Sequence, residues 1–328
     1  MSERIAVVST SYPRYAGDAA GHFVHSEVKR LVRAGHEVHV FAPGRGALHA
    51  DGATLHWLDD HGAFGWPGAL ARLRERPARL LGAGAFCVRA ERGLRERGPF
   101  QRLQAHFFLP AAWPIATRAF RREPRPTLEL IGHGSDVRLF CKLPAVVRRS
   151  IARAWLARGA RLRVTSAELA TLLSDANPEL ARALRVEASP LDVDDIPTRA
   201  EARRALAIPE STRLALIVSR LVPGKRVDLA LRALALLDGI STCVVGDGPE
   251  LEALRGQFPA VHFAGRLPRP AALRYMAAAD VVVSASAEEG APSAVREARA
   301  LGVPVIAVAA GDLASWAERD AGLLLVAR

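Results

Sequence analysis

Lysine, methionine, tyrosine and cysteine are all scarce in this 328-residue chain, with 2 Met, 3 Tyr, 3 Cys and lysine only at Lys29, Lys142 and Lys225. Cys87, Cys141 and Cys243 are scattered without metal or redox spacing. That excludes a disulfide framework and a cysteine-ligated metal, and fits a reducing cytoplasm. No apolar run reaches the roughly 18–20 residues needed to span a bilayer. Residues 1–10 lack the long apolar core and small-residue cleavage site of a signal peptide, so a cytoplasmic protein is expected. Tandem short repeats and low-complexity tails are absent too.

Charge is present in excess, but only in one half. Residues 1–190 carry 29 Lys/Arg against 17 Asp/Glu, whereas residues 191–328 carry 16 against 17. The net +11 therefore resides entirely in the first half. A basic half of this kind suits an anionic membrane, a polyanionic glycan or a nucleic acid. Nucleic acid is set aside because no recognition module accompanies the charge.

Short β-branched runs alternate with longer amphipathic stretches, the pattern of parallel sheets covered by helices. Strands are expected at 4–9, 38–42, 102–106, 127–131 and 161–165, and then at 214–219, 241–245, 261–264, 281–284, 303–307 and 323–326. Helices are expected at 20–34, closed by Gly35, at 110–121 and at 143–158. An Arg-rich helical segment over 69–97 is expected to break at Pro77 and around Gly82-Ala-Gly84. Ser189-Pro190 and Ile196-Pro197 interrupt the alternation. They divide the chain into a domain at 1–190 and a second at 191–328.

Chemistry concentrates in the second half. Glu289 and Glu297 bracket a Gly290-Ala-Pro292-Ser293 turn that should open a helix, with Pro292 in its first turn. Free N–H groups at such a helix start form an anion site, and two carboxylates beside it suit the hydroxyls of a sugar nucleotide. Arg220 and Lys225 lie on a strand-to-helix loop, where ligands of open α/β sheets gather. There they could neutralise a diphosphate, or simply be a solvated basic loop. Gly246-Asp247-Gly248-Pro249 is a second strand-to-helix turn, without the full Gly-x-Gly-x-x-Gly fingerprint. It reads equally as a structural turn. In the first half, His106 could line a cleft or end a strand. His22, His25, His36 and His39 read as structural or surface residues.

Taken in order, Ser219-Arg220…Lys225, Gly246-Asp247-Gly248-Pro249, Gly265-Arg266, Ala279-Asp280 and Glu289-Gly-x-Pro…Glu297-Ala resemble retaining family-4 glycosyltransferases, among the glycosyl transferases of group 1. Ser11-Tyr-Pro…Gly17-Asp18…Gly21-His, Gly35-His36-Glu37-Val38, Ala105-His106-Phe and Gly132-His133-Gly134-Ser135-Asp136 extend the resemblance over nearly the whole chain. It implies a GT-B fold: two Rossmann-like, doubly wound α/β domains facing across a cleft. The first would bind the acceptor and the second the nucleotide sugar. Members commonly continue past the last strand with further helices, so C-terminal helices are expected to be truncated here and activity reduced.

The resemblance also implies roles. Glu289 would face the donor sugar and Glu297 the ribose. Arg220 and Lys225 would hold the diphosphate and stabilise the departing charge, with help from the N–H groups after Pro292. Gly17 would let a loop approach the phosphates. His133 would stand near sugar and acceptor, with Asp136 on the acceptor side. The donor would be a UDP-, GDP- or ADP-sugar, with no metal and no other cofactor. The acceptor would be a cell-envelope glycan or a lipid-linked molecule. The basic half would touch an anionic membrane, placing the enzyme at the inner face of the cytoplasmic membrane. Two rivals share these features: a sugar-nucleotide epimerase of the same fold, and a catalytically impaired nucleotide-sugar or polyanion binder. A nicotinamide dehydrogenase is disfavoured, since neither first strand leads into the dinucleotide fingerprint.

Overall fold

The computed structural model describes residues 2–15, 18, 20–45, 51–65, 68–120, 125–193 and 197–327. The chain divides into two compact units, Met1–Pro190 and Leu191–Arg328.

The first unit holds seven parallel strands: β1 (Arg4–Ser9), β2 (Glu37–Pro43), β3 (Thr54–Leu58), β4 (Arg102–His106), β5 (Thr127–Gly132), β6 (Arg161–Val164) and β7 (Leu184–Val186). Their order in the sheet is β3-β2-β1-β4-β5-β6-β7. The central β1 is a continuous apolar run whose Ile5, Ala6, Val7 and Val8 are fully buried, as a parallel strand covered on both faces requires. The expected 38–42 and 4–9 strands pair in parallel with Ile5 opposite Val38. Strands β3 and β7 escape detection in the sequence. Both lie at sheet edges, are partly exposed and carry polar residues, so they lack the apolar run that marks β1.

The second unit holds six parallel strands: β8 (Arg213–Val218), β9 (Ile240–Val245), β10 (His262–Gly265), β11 (Val281–Ser284), β12 (Val305–Val308) and β13 (Leu323–Val326). Their order is β10-β9-β8-β11-β12-β13. Winding runs outward one way from β8 and the other way from β11, so the strand order reverses between these two neighbours. That reversal is where open α/β sheets hold ligands, outside the carboxyl ends of the strands.

Two helical expectations need correction. The Arg-rich segment does break near Pro77, giving helices Ala69–Glu75 and Arg79–Arg97, but it runs unbroken through Gly82 and Gly84. Gly82 serves close approach instead: a Cβ there would stand 2.3 Å from the Asp60 carbonyl oxygen. The stretch expected as a helix over 110–121 is irregular, because Leu109 and Trp113 are extended. Each precedes a proline, whose ring pushes the preceding residue out of the helical region. Helix His22–Arg33 ends as expected before Gly35, which takes φ +84°. No helix among the described residues is long and apolar enough to cross a membrane.

Candidate functional site

In the second unit the loops leaving β8, β11 and β12 meet at the switch point. Their backbones are locked together. Ala287 N–H donates to the Gly224 carbonyl at 3.0 Å, tying the β11 loop to the β8 loop. Gly311, at φ +58°, lies so close that a Cβ would stand 2.6 Å from the Gly290 carbonyl oxygen. Lys225, from the β8 loop, and Glu289, from the β11 loop, are thereby brought together, with Nζ donating to Oε1 at 2.5 Å. Both side chains are mostly shielded from solvent. Arg220 is exposed on the same loop.

The Gly246-Asp247-Gly248 turn leaves β9 beside these loops. Gly246, at φ +151°, would place a Cβ 1.7 Å from the Ser219 carbonyl oxygen, and Gly248, at φ +158°, would place one 2.3 Å from that of Leu221. Two hydrogen bonds stitch the loops: Ser219 N–H to Val245 O at 3.1 Å and Leu221 N–H to Asp247 O at 2.9 Å. The glycines are therefore spent on packing against the β8 loop, and they position the stretch that carries Arg220 and Lys225.

Past the turn, the buried Gly290 and Pro292 lead into helix Ser293–Ala300. Pro292 lies at the position just before the helix, with ψ 110°, one step earlier than expected. No side chain caps this helix start at Ser293. Its early N–H groups are the kind that meet an anion. Glu297, on the second turn, is 6% exposed and accepts from Arg269 Nη2 at 2.8 Å. Arg269 was not singled out in the sequence. It sits in a Pro-Arg-Pro segment at the start of helix Arg269–Ala278, and nothing local marks it as a partner of a residue 28 positions away.

In the first unit, β4 and β5 are adjacent, which sets His106 beside His133. His106 Nδ1 lies 3.0 Å from His133 Nε2, and the two rings meet edge to edge, nearly coplanar, with an 11° tilt and 5.2 Å between ring centres. Burial holds both imidazoles well below the ordinary histidine pKa. Asp136, expected on the acceptor side, is instead a backbone clamp. Its Oδ1 accepts from His133 N–H at 2.9 Å and Gly134 N–H at 3.0 Å, and its Oδ2 from Phe108 N–H at 2.8 Å. Burial raises its pKa, and the three donors oppose the rise. An ion network centred on the buried Arg163 and Glu27 lies nearby. Arg163 on β6 reaches Glu27 at 3.3 Å, Glu129 at 3.7 Å and Glu187 at 3.1 Å. The only sequence signal for it is arginine at alternate positions of a short strand, Arg161 and Arg163. Gly17 lies outside the described residues.

Residues 198–326, nearly all of the second unit, match the family described as glycosyl transferases group 1. Over 237 residues the chain is 30% identical to the putative teichuronic acid biosynthesis glycosyltransferase TuaC of Bacillus subtilis (strain 168), covering 68% of this chain and 57% of that protein. It is 35% identical over 127 residues to the D-inositol 3-phosphate glycosyltransferase of Mycolicibacterium gilvum (strain PYR-GCK), covering 35% of this chain and 28% of that one. The chain thus spans less than two thirds of either relative. Two solved structures superpose on 99% of this chain and 86% of their own, each with a TM-score of 0.72 and 20% identity: a sucrose-phosphate synthase from Thermosynechococcus elongatus, and Anabaena HepE in complex with UDP and glucose. At that identity the likeness speaks for the fold alone. The fold is the α/β GT-B architecture, and the second unit is similar to the glycosyl transferases of group 1.

Proposed function

We propose that the protein is a retaining glycosyltransferase that moves a hexose from a nucleotide-diphosphate sugar to a cell-envelope glycan or lipid-linked acceptor. The observation that carries this reading is the pairing of Lys225 with Glu289 at the switch point, with Arg220 on the same loop, in a unit that matches the group 1 glycosyl transferases. A carboxylate there can accept hydrogen bonds from sugar hydroxyls. Two cations beside it can take up the charge that develops when the bond between the sugar and the diphosphate breaks. In this reading no metal is needed, since Arg220 and Lys225 supply the positive charge. Glu297 binds the ribose, and the helix start at Ser293 adds N–H donors to the phosphate.

Chemically, the bond from the anomeric carbon to the diphosphate oxygen breaks and the acceptor oxygen bonds to the same face. The acceptor proton passes to the leaving phosphate. HepE, which shares the fold, was solved with UDP-glucose, so a UDP-sugar is the first donor to test, and support for an envelope glycan comes from the name of the teichuronic acid relative. The first unit would take the acceptor. Its helix Arg79–Arg97 exposes Leu80, Leu81 and Val88 alongside Arg89 and Arg92, a surface suited to the anionic inner face of the cytoplasmic membrane.

Thermal melting against UDP-, GDP- and ADP-sugars tests the donor. A true donor at about 100 times its Kd should stabilise by about 2.7 kcal/mol, and the others should not. Product analysis with a matched donor then reads transfer and anomeric configuration. No stabilisation by any of the three classes, or an inverted product, would overturn the reading.

A further inference from the structure

The histidine pair at the ends of β4 and β5 carries an inference about proton placement that rests on the glycosyltransferase reading for its functional meaning but not for its test. A neutral imidazole has one N–H and one bare nitrogen, so a contact between two such rings must be one donor meeting one acceptor. Two arrangements satisfy the 3.0 Å contact between His106 Nδ1 and His133 Nε2. Either His106 donates from Nδ1, or His133 donates from Nε2.

The surroundings decide between them. His106 is 1% exposed, and among the described residues its Nε2 is buried with no hydrogen-bond partner. If His133 donated, the proton of His106 would sit on that Nε2, a buried N–H with no acceptor. If His106 donates, Nε2 is only a bare acceptor without a donor, the milder defect. The groups facing the pair keep it uncharged. Burial and the Arg163 cation on β6 both disfavour imidazolium at His106. At His133, burial, His106 and Arg163 outweigh the opposing Glu27 carboxylate on helix His22–Arg33.

The rest of the site holds the His133 ring in place. Phe23 and Phe107 lie against it at 4.6 and 4.9 Å between ring centres, and Asp136 fixes its backbone N–H. Phe107 takes φ +77°, a strained conformation for a residue with a side chain, immediately after His106. Strain of this kind persists where the surrounding structure over-determines a functional geometry.

We propose that His106 is a positioning residue: by donating from Nδ1 to His133 Nε2, it fixes His133 as the tautomer that carries its proton on Nδ1. His133 can then donate one hydrogen bond from Nδ1 to a substrate oxygen. It has no bare nitrogen left to receive the acceptor's proton. In sugar transfer it orients or polarises, and it does not act as a general base.

Long-range proton–nitrogen correlation spectra of protein labelled with nitrogen-15 histidine read this directly. His133 is assigned by the signal lost in His133→Gln. The expected result is a protonated Nδ1 and a bare Nε2 at His133, with shifts unmoved from about pH 5.5 to 8.5, a range that brackets the ordinary histidine pKa. His106→Asn keeps a donor at the Nδ1 position and should preserve the pattern. His106→Asp sets an acceptor opposite Nε2 and should move the His133 proton to Nε2 at the alkaline end of that range. A wild-type His133 protonated on Nε2, or one that titrates in the ordinary range, overturns the proposal whether or not the protein transfers sugar. With a donor in hand, His106→Leu should lose about tenfold in kcat/KM, the worth of one oriented hydrogen bond, and His106→Asn should retain most of it. Equal losses in both variants would reduce His106 to a packing role. If no sugar is transferred while the tautomer stands, the glycosyltransferase reading fails and the His106 assignment survives.

Discussion

Lys225 donates to Glu289 at 2.5 Å across two adjacent strand ends, although 64 residues separate them in the chain. The contact exists because β8 and β11 are neighbours in the sheet and their loops are pinned by the Ala287 to Gly224 hydrogen bond. A cation and a carboxylate held side by side can serve a leaving diphosphate and a sugar hydroxyl respectively.

Removing either member should therefore damage turnover more than binding. Glu289→Gln and Lys225→Met should each lower kcat by roughly 100- to 1,000-fold, the range for losing one group that stabilises developing charge. Steady-state kinetics of both single variants and the double variant check this. Since the two act as a unit, the double variant should be little worse than the worse single one. Wild-type kcat in Glu289→Gln would sink the assigned role.

Glu297 and Arg269 should behave differently. The ribose does not react, so its contacts mostly set donor affinity. Glu297→Gln should raise the donor KM by about tenfold with a smaller change in kcat. Arg269→Leu leaves a nearly buried carboxylate without its described guanidinium partner, and should lower both melting temperature and donor affinity. A kcat loss in Glu297→Gln as deep as that of Glu289→Gln would contradict the division of roles.

The glycines offer a stability test with opposite signs. Gly246→Ala would drive a Cβ to 1.7 Å from the Ser219 carbonyl oxygen, backbone that cannot yield without moving the β8 loop. It should destabilise by about 3 kcal/mol or more in urea unfolding. Gly256, exposed in helix Leu251–Gln257 with nothing within 4 Å of a Cβ, is the contrast. Gly256→Ala should stabilise by about 0.4–1 kcal/mol, through higher helix propensity and a less flexible unfolded chain.

Acid should weaken the first unit in a defined window. His56 stacks on Phe41 and meets His39 edge to edge, its Nε2 3.0 Å from His39 Nδ1, and desolvation, followed by the Arg97 charge, pulls its pKa from 6.5 to about 4. The fold thus favours neutral His56. As pH falls below 6.5 the unfolded chain takes up a proton that the folded one refuses, so stability is lost between about pH 6.5 and 4 and levels off below. His106 and His133 act in the same direction. Urea midpoints against pH should fall across this window, and His56→Phe should flatten the fall.

Much of the fold was legible because burial writes itself into composition. Strands β1, β4, β11 and β13 have the bounds expected from the sequence, and β1 and β11 are the short β-branched runs between turns that covered parallel strands require. The edge strands β3 and β7 escape detection because Thr54, His56 and Arg185 break up the apolar run that marks the edge strand β13. Gly82-Ala-Gly84 was misread as a break, because a sequence cannot distinguish a glycine that ends a helix from one that lets Asp60 come near. In the site, Glu289, Lys225 and Arg220 were named from loop position and motif order. The partners Arg269 and Arg163 were not, because their contacts span distant segments.

By itself the sequence determined the α/β class, the alternation that makes parallel sheets, the charge asymmetry and the loops on which polar residues would fall. These are local properties, set by periodicity and turn chemistry. Tertiary structure alone decided which loops meet, that Gly246 and Gly248 pack against the β8 loop, that Asp136 clamps backbone, and that His106 faces His133. Such pairings depend on strand order, which no local window of the chain contains.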